Sequence, residues 1–445
     1  MPHARARLLA PLTLREFRLL WTGMTISLLG DGIFYVALPW QVYELSDAPT
    51  ALSVVGIAMT VPHLLLLLVG GVVSDRFDRR RVMVAADVLR GISVGALGAL
   101  SLAGSLELWH TVLLAAAFGA GTAFFGPAFD AIVPEIVPDE LLPQANSLDH
   151  FVRPAAWRML GPAAGGWIIA VSGGRAGAAF VIDAVTFAGS VVCLLLMRRV
   201  REAAAPYEPA GSPVKEIRDG FRYVRSQRWL WGTLVAATFA YLAFLGPTEV
   251  LLPYVVKYEM RAGAGALGTI LALGGVGAMA AAFLLGSREL PRHTMRFIYV
   301  VWTLSTLSVA GYGLATLPWQ AMAACFVFNA LEGAGTIVWI TAKQRLVPNR
   351  LLGRVSSFDW FISIGLLPVS YALTGPVAAA IGARTTLIGA GVVGAAVTFA
   401  FLFLPGLREA EQRPELRRGT SRNASEGAAA TVAGVVTTGV PLVES

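Results

Sequence analysis

Charge is what this sequence has least of. Asp, Glu, Lys and Arg make up 14% of its 445 residues while hydrophobic residues make up 56%; soluble domains carry about 25% charged residues. With a mean hydropathy of +0.65, the chain cannot cover a soluble globule with polar surface, which excludes a soluble enzyme or binding module. Cysteine is nearly absent as well. Cys193 and Cys325 both fall inside apolar runs, so neither a disulfide framework nor a cysteine metal cluster is expected, only two small buried side chains. The five histidines (His3, His63, His110, His150 and His293) are scattered, with no His-x-x-x-His pair. A nucleophile elbow and a phosphate-binding loop are also missing, so nothing points to an enzyme, a metal or a cofactor. Lysine occurs only at 215, 257 and 343, against 32 arginines. A net charge of +7 would raise nucleic acid as a partner in a soluble protein. Here the basic residues flank apolar runs, and membrane topology accounts for them.

Long apolar runs are what the chain does contain. Windows of about 20 residues place spans near 17–43, 51–73, 82–104, 110–130, 145–171, 176–197, 230–256, 264–287, 295–316, 318–342, 356–381 and 384–405. The expected fold class is therefore all-α integral membrane, with twelve transmembrane helices in two pseudo-symmetric six-helix bundles. The expected organisation is a cytoplasmic N-tail at 1–16, a first bundle at 17–197, a cytoplasmic linker at 198–229, a second bundle at 230–405 and a disordered tail at 406–445. Ser212 and Pro213 open an amphipathic helix in the linker, with Val214, Ile217, Phe221 and Val224 at helical spacing. The first apolar run lacks a cleavage site and reads as an uncleaved span. Of the 35 basic residues, 28 fall on the side of the two termini, 4 on the opposite side and 3 inside spans. By the positive-inside rule both termini are cytoplasmic, in a multi-pass protein of the cell membrane.

The halves repeat. Gly119-Ala120-Gly121-Thr122 recurs as Gly333-Ala334-Gly335-Thr336, Leu38-Pro39 as Leu252-Pro253, and Gly161-Pro162 as Gly375-Pro376, always 214 residues on; Asp149 recurs at Asp359, 210 on. A constant offset across several spans argues for two related bundles.

Charges deep inside spans are expensive and mark candidate sites. Asp31, Arg158 and Glu332 lie near the middles of spans 1, 5 and 10, where a carboxyl can exchange a proton or meet a substrate as a cavity opens to either side. Asp31 either does this or forms a fixed buried pair with Arg158; Glu332 either does this or stays protonated and hydrogen-bonded. Asp149 and Arg153 stand four apart, acid first, as a structural or gating pair. Asp87 with Arg90, and Asp183 and Glu249, form a third rank. In span 5, Gly161-Pro162-Ala163-Ala164-Gly165-Gly166 puts Gly161 and Gly165 on one face for close helix approach, and Pro162 permits a bend.

Between spans 2 and 3 runs Gly71-Val-Val-Ser-Asp-Arg-Phe-Asp-Arg-Arg-Arg81. It resembles the loop signature of the major facilitator superfamily, Gly-x-x-x-Asp-Arg-x-Gly-Arg-Arg. Gly71, Asp75, Arg76, Arg79 and Arg80 match, and Asp78 replaces the usual glycine. The hexapeptide in span 5 resembles the core of that superfamily's antiporter motif, without its preceding glycines. With Gly30-Asp31, Leu38-Pro39-Trp40 and Gly126-Pro127-Ala128, the chain is similar to the branch of twelve-span exporters that includes macrolide efflux proteins and the enterobactin exporter. One departure is that the span-4 arginine of many drug–proton antiporters is replaced by Ala115, four before Gly119.

The resemblance implies a secondary transporter that exports amphiphilic small molecules, drug-, macrolide- or siderophore-like, by alternating access with protons as the coupling ion. It implies that the loop at Gly71, Asp75, Arg76, Arg79 and Arg80 is an inner gate, with Asp75 near Arg354 and the arginines on acids or lipid phosphates. The span-5 motif (Gly161, Pro162, Gly165, Gly166) would close the outer side. A small-molecule amphiphile, protons and membrane lipids are the expected partners of a monomer. The alternatives are an importer or lipid carrier of the same fold, or a non-transporting membrane sensor.

Overall fold

The computed structural model describes residues 9–198, 213–286, 290–348, 351–352, 355–356, 358–359, 361 and 365–412. Every element among them is helical, as lipid demands: without water, backbone groups must find partners within the segment itself. The order is α1 Arg15–Leu45, α2 Pro49–Arg76, α3 Arg79–Leu102, α4 Leu108–Ile136, α5 Leu142–Arg153, α6 Gly161–Val171, α7 Gly177–Leu196, α8 Pro213–Ser226, α9 Arg228–Tyr254, α10 Ala264–Gly286, α11 Thr294–Leu314, α12 Pro318–Leu346, α13 Leu367–Ile381 and α14 Ala383–Phe401.

Ten helices among the described residues are long and apolar enough to cross a membrane. The other two expected spans are represented differently. The fifth is helical throughout but divided into α5, a π-helical segment Pro154–Leu160 and α6, and the eleventh is described continuously only as α13. The irregularity of the fifth span begins at Pro154, not at the expected Pro162, which opens α6 instead. A proline has no N–H for the preceding turn, and the wider π turn accommodates the gap. Large apolar side chains lie open on the surface, Phe283 84% and Leu65 69% exposed, as befits a surface solvated by lipid tails.

The two halves repeat their packing. α2 packs on α4 as α10 does on α12, α3 on α7 as α11 on α14, and α1 on α7 as α9 on α14. Across the halves α6 packs on α10 and α13 on α2, the reciprocal pair that a two-fold relation requires. Arg15 Nη2 donates to the Leu196 carbonyl (2.9 Å), and a Cβ on Gly406 would sit 2.7 Å from Arg228 Cδ, so each half gathers its first and last elements at one end, called here the near end, where Glu411 also accepts from the Arg296 amide (2.9 Å). Glu411 belongs to a turn of 3-10 helix, Leu407–Gln412, in the stretch expected to be a disordered tail; residues 413–445 lie outside the described set.

At the opposite, far end one apolar core joins both halves, taking Val36, Trp40, Tyr43 and Phe180 from the first and Leu251, Val255, Leu267 and Leu387 from the second. At the near end the described residues form two separate cores. One contains Phe17, Met83, Ile132 and Leu148, the other Trp229, Ile298, Trp339 and Leu346. Helix α8 joins the second of these through buried Val224, its Phe221 ring 6.2 Å from Phe358.

Candidate functional site: buried charges and the far-end seal

Asp87 and Arg90 lie one turn apart on α3 and are bonded to each other within the first half. Arg90 Nη1 also reaches Asp31 of α1 at 3.4 Å, so where Asp31 is paired its partner is Arg90 and not Arg158, the alternative the sequence offered. The reason is rotational. Asp31 faces α3 and α7, whereas the π segment turns Arg158 toward the second half, its backbone carbonyl against Gly275 of α10. Ser190 Oγ of α7 donates to Asp87 Oδ2 (2.6 Å). Asp183, two turns earlier on the same face of α7, accepts from Thr186 and is completely buried. Arg90 is sandwiched between the rings of Phe125 (4.7 Å) and Phe187 (4.6 Å), which stabilise a desolvated guanidinium by cation–π attraction.

Glycines make the room. A Cβ on Gly30 would overlap Asp183 Oδ1 and Thr186 Oγ1, and one on Gly121 would sit 2.8 Å from Arg90 Cγ. Sequence reading ranked Asp87, Arg90 and Asp183 low. The signal was Asp183, Thr186 and Ser190 at helical spacing in an apolar span, facing a glycine-lined stretch of α1.

A second group lies between the halves. The Tyr35 hydroxyl faces the Glu249 carboxyl, and Arg158 acts electrostatically on both. Arg158 and Glu332 also both act on Tyr241 of α9. Glu332 accepts a hydrogen bond from Thr336 one turn on (2.8 Å). The three midplane charges thus divide, Asp31 in the buried first-half cluster and Arg158 with Glu332 between the halves. Trp157 neighbours Arg158 (5.2 Å) and Tyr35 (6.1 Å), adding an aromatic wall.

Toward the near end Asp149 and Arg153 are bonded (2.7 Å), with Arg153 over the Phe129 ring. The repeat position Asp359 binds Lys343 and accepts from Trp339 Nε1 (3.0 Å). That pair joins α12 to the eleventh span, a partnership that no local spacing signals. In the loop after α2, Arg79 binds Glu135 and the Ala131 carbonyl, and Arg80 donates to the Leu195 carbonyl (2.7 Å). Asp78, in place of the glycine, caps α3 by accepting from the Arg81 amide (3.1 Å). The close helix contact here is made by Gly70, where a Cβ would overlap the Ala123 carbonyl; one on Gly71 meets nothing within 4 Å among the described residues. Arg76 is exposed; the Asp75 side chain and Arg354 lie outside the described residues.

The far-end seal is made of glycine and tyrosine. Gly161 abuts Gly32 of α1 and Gly165 abuts Ile33, a Cβ on either meeting backbone at 2.6 and 2.9 Å. Gly166 abuts Gly268 of α10 (2.9 Å), and a Cβ on Gly268 would overlap the Pro162 carbonyl. Tyr43 donates to the Val250 carbonyl (2.7 Å), Tyr258 donates back to the Tyr43 carbonyl, and Lys257 donates to the Trp40 carbonyl (3.3 Å).

A family model described as transmembrane secretion effector matches residues 6–427. The chain belongs to that family. It is a multi-pass membrane transporter of the major facilitator type. Similar proteins include the multidrug efflux pump Tap of Mycolicibacterium fortuitum, 28% identical over 414 residues, covering 90% of this chain and 97% of that one. Macrolide efflux protein A of Streptococcus pyogenes is 22% identical over 240 residues, covering 54% of this chain and 58% of that protein. Among solved structures, a bacterial homologue of the iron transporter ferroportin in an inward-facing state aligns at TM-score 0.65 with 15% identity, over 88% of this chain and 99% of that one. A bacterial homologue of the human lysosomal transporter Spinster, inward-facing and unoccupied, aligns at TM-score 0.60 with 16% identity, over 92% and 98%. At such identities the two structures speak for the fold alone.

Proposed function

We propose that this transporter exports amphiphilic small molecules by alternating access, driven by proton entry. The carrying observation is the asymmetry of the two ends: one continuous core and a glycine–tyrosine seal at the far end, two separate cores among the described residues at the near end. On the charge bias of the sequence, the near end faces the cytoplasm and both termini lie there. The state described is then open inward, ready to load from the cytoplasm or inner leaflet. The efflux activities named for the two relatives support the export direction.

Substrate would sit between the halves, against Arg158, Trp157, Tyr35, Glu249 and Glu332, where two aromatic rings stand beside one cation and two acids, a lining suited to amphiphiles. Asp31 and Glu332 are the proposed proton carriers. Arg158 contacts substrate or biases the protonation of Glu249. Asp149 with Arg153, and the loop at Gly71, Asp75, Arg76, Arg79 and Arg80, act at the near-end gate of a monomer in contact with lipid headgroups. The test is export of a cationic dye from proteoliposomes under an imposed pH gradient. Asp31→Asn and Glu332→Gln are expected to lower gradient-driven flux at least tenfold while keeping downhill exchange. Unchanged gradient-driven flux in both would remove them as coupling sites.

A further inference from the structure

The first-half cluster holds more acid than its cation can balance. Three carboxyls, Asp31, Asp87 and Asp183, converge on one guanidinium, Arg90. Arg153 of α5 acts on Asp31 from further off. Asp87 is satisfied, with one oxygen on Arg90 and the other on Ser190. Asp31 Oδ1 and Asp183 Oδ2 are both buried without a hydrogen-bond partner. The two residues are neighbours, since Asp183 fills the space that a side chain on Gly30 would take, and they act on one another electrostatically. An ionised carboxylate with an unpartnered oxygen is costly in a dry interior. While their shared site is closed to water, two adjacent carboxyls hold one proton between them.

We propose that Asp31 and Asp183 share one proton, making the contact of α1 with α7 a two-carboxyl proton store. One proton satisfies both orphaned oxygens, with Asp183 Oδ2–H donating to Asp31 Oδ1. The Asp31 side chain is 16% exposed and Asp183 is fully enclosed, so Asp31 is the store's opening to water. On discharge water reaches Asp31: the O–H bond of Asp183 breaks, its proton passes to Asp31 and on to that water, and of the two carboxylates left behind one is hydrated at Asp31 and both face Arg90. Arg90 Nε has no partner and is free to take up whichever carboxylate ionises. For its role in transport the store rests on the proton-coupled reading above; its existence does not.

The experiment is infrared difference spectroscopy of the purified full chain in lipid nanodiscs, titrated from neutral to alkaline pH. The wild type is expected to show the carbonyl stretch of a protonated, buried carboxyl at neutral pH. Asp183→Asn should abolish that band. Asp31→Asn should move its frequency, because the neighbour that receives the hydrogen bond has changed. A band unchanged in Asp183→Asn overturns the store, and a frequency unmoved in Asp31→Asn overturns the sharing. Should Asp183→Asn not fold, Asp183→Glu must keep the band and move its frequency; a band unaltered there overturns the proposal equally. Loss of proton-driven flux is scored separately, so a protein with the predicted bands but no coupled transport would sink the coupling reading and leave the store standing.

Discussion

Arg90 binds Asp87 directly and Asp31 at 3.4 Å, with a phenylalanine ring on either face. Removing one member of such a buried set leaves the others uncompensated, a loss of about 3–5 kcal/mol. Arg90→Met is therefore expected to lower the unfolding midpoint in detergent sharply, and adding Asp87→Asn should recover part of the loss. If the double variant is no more stable than the single one, Arg90 contributes by packing rather than charge. Sequence reading found Asp31 by its depth and offered Arg158 as its partner in one of two readings. Depth is readable along the chain, while the direction a side chain faces depends on which helices surround it. Glu332 shows the same limit. Its place in α12 is evident from hydropathy, but its bond to Thr336 and its closeness to Tyr241 are matters of helix rotation.

At the scale of elements, the fifth span is the hinge of the description. Its lower part carries Asp149 and Arg153, its π turn presents Trp157 and Arg158, and its upper part closes on two partners at once, α1 through Gly161 and Gly165 and α10 through Gly166. The glycines were visible as a motif. The division of labour between them was not, because it depends on the crossing of three helices. Gly166→Leu would insert a side chain where even a Cβ would meet the Ala264 carbonyl at 2.7 Å and Gly268 Cα at 2.9 Å. It is expected to hold the far end open and to cut export at least tenfold without loss of folded protein. The check is labelling of a single cysteine introduced at Ala264 by a membrane-impermeant thiol reagent, with Cys193 and Cys325 replaced. Labelling no faster than in the parent would show that the seal tolerates the bulk. Helix α3 teaches a smaller lesson: Asp78, a departure from the family pattern at the loop, is a working N-cap.

For the whole molecule, the proposed cycle requires the near ends to close as the far end opens. The loop after α2 is the proposed latch, and Asp75→Asn is expected to reduce export severalfold while leaving membrane insertion and yield intact. Normal export in that variant would reduce the loop to a topology signal. The structure also accounts for an open Gly71. In a state with separate near-end cores no described residue comes within 4 Å of a Cβ placed there, and the proposed cycle predicts an approach when the near end closes. Spin labels on α2 and α10 near their loop ends should report this as a shorter distance on adding substrate at high pH. A distance distribution insensitive to both would argue against alternating access.

Composition and hydropathy by themselves determined that this is an all-helical membrane protein of two related halves, because lipid tolerates few other backbones and a 214-residue repeat is a fact of the chain. The charge pattern of the loop after α2 and the glycine spacing of span 5 placed it in its superfamily, the latter because the close contacts at Gly161 and Gly165 need small residues at fixed spacing. Tertiary structure alone decided which acid meets which arginine. The pairing of Asp31 with Arg90, Asp359 with Lys343 and Arg79 with Glu135 turns on helix rotation and on which helices are neighbours. It decided as well that, among the described residues, the halves share a core at the far end and keep separate cores at the near end, since hydropathy marks a residue as apolar without saying which half it packs against.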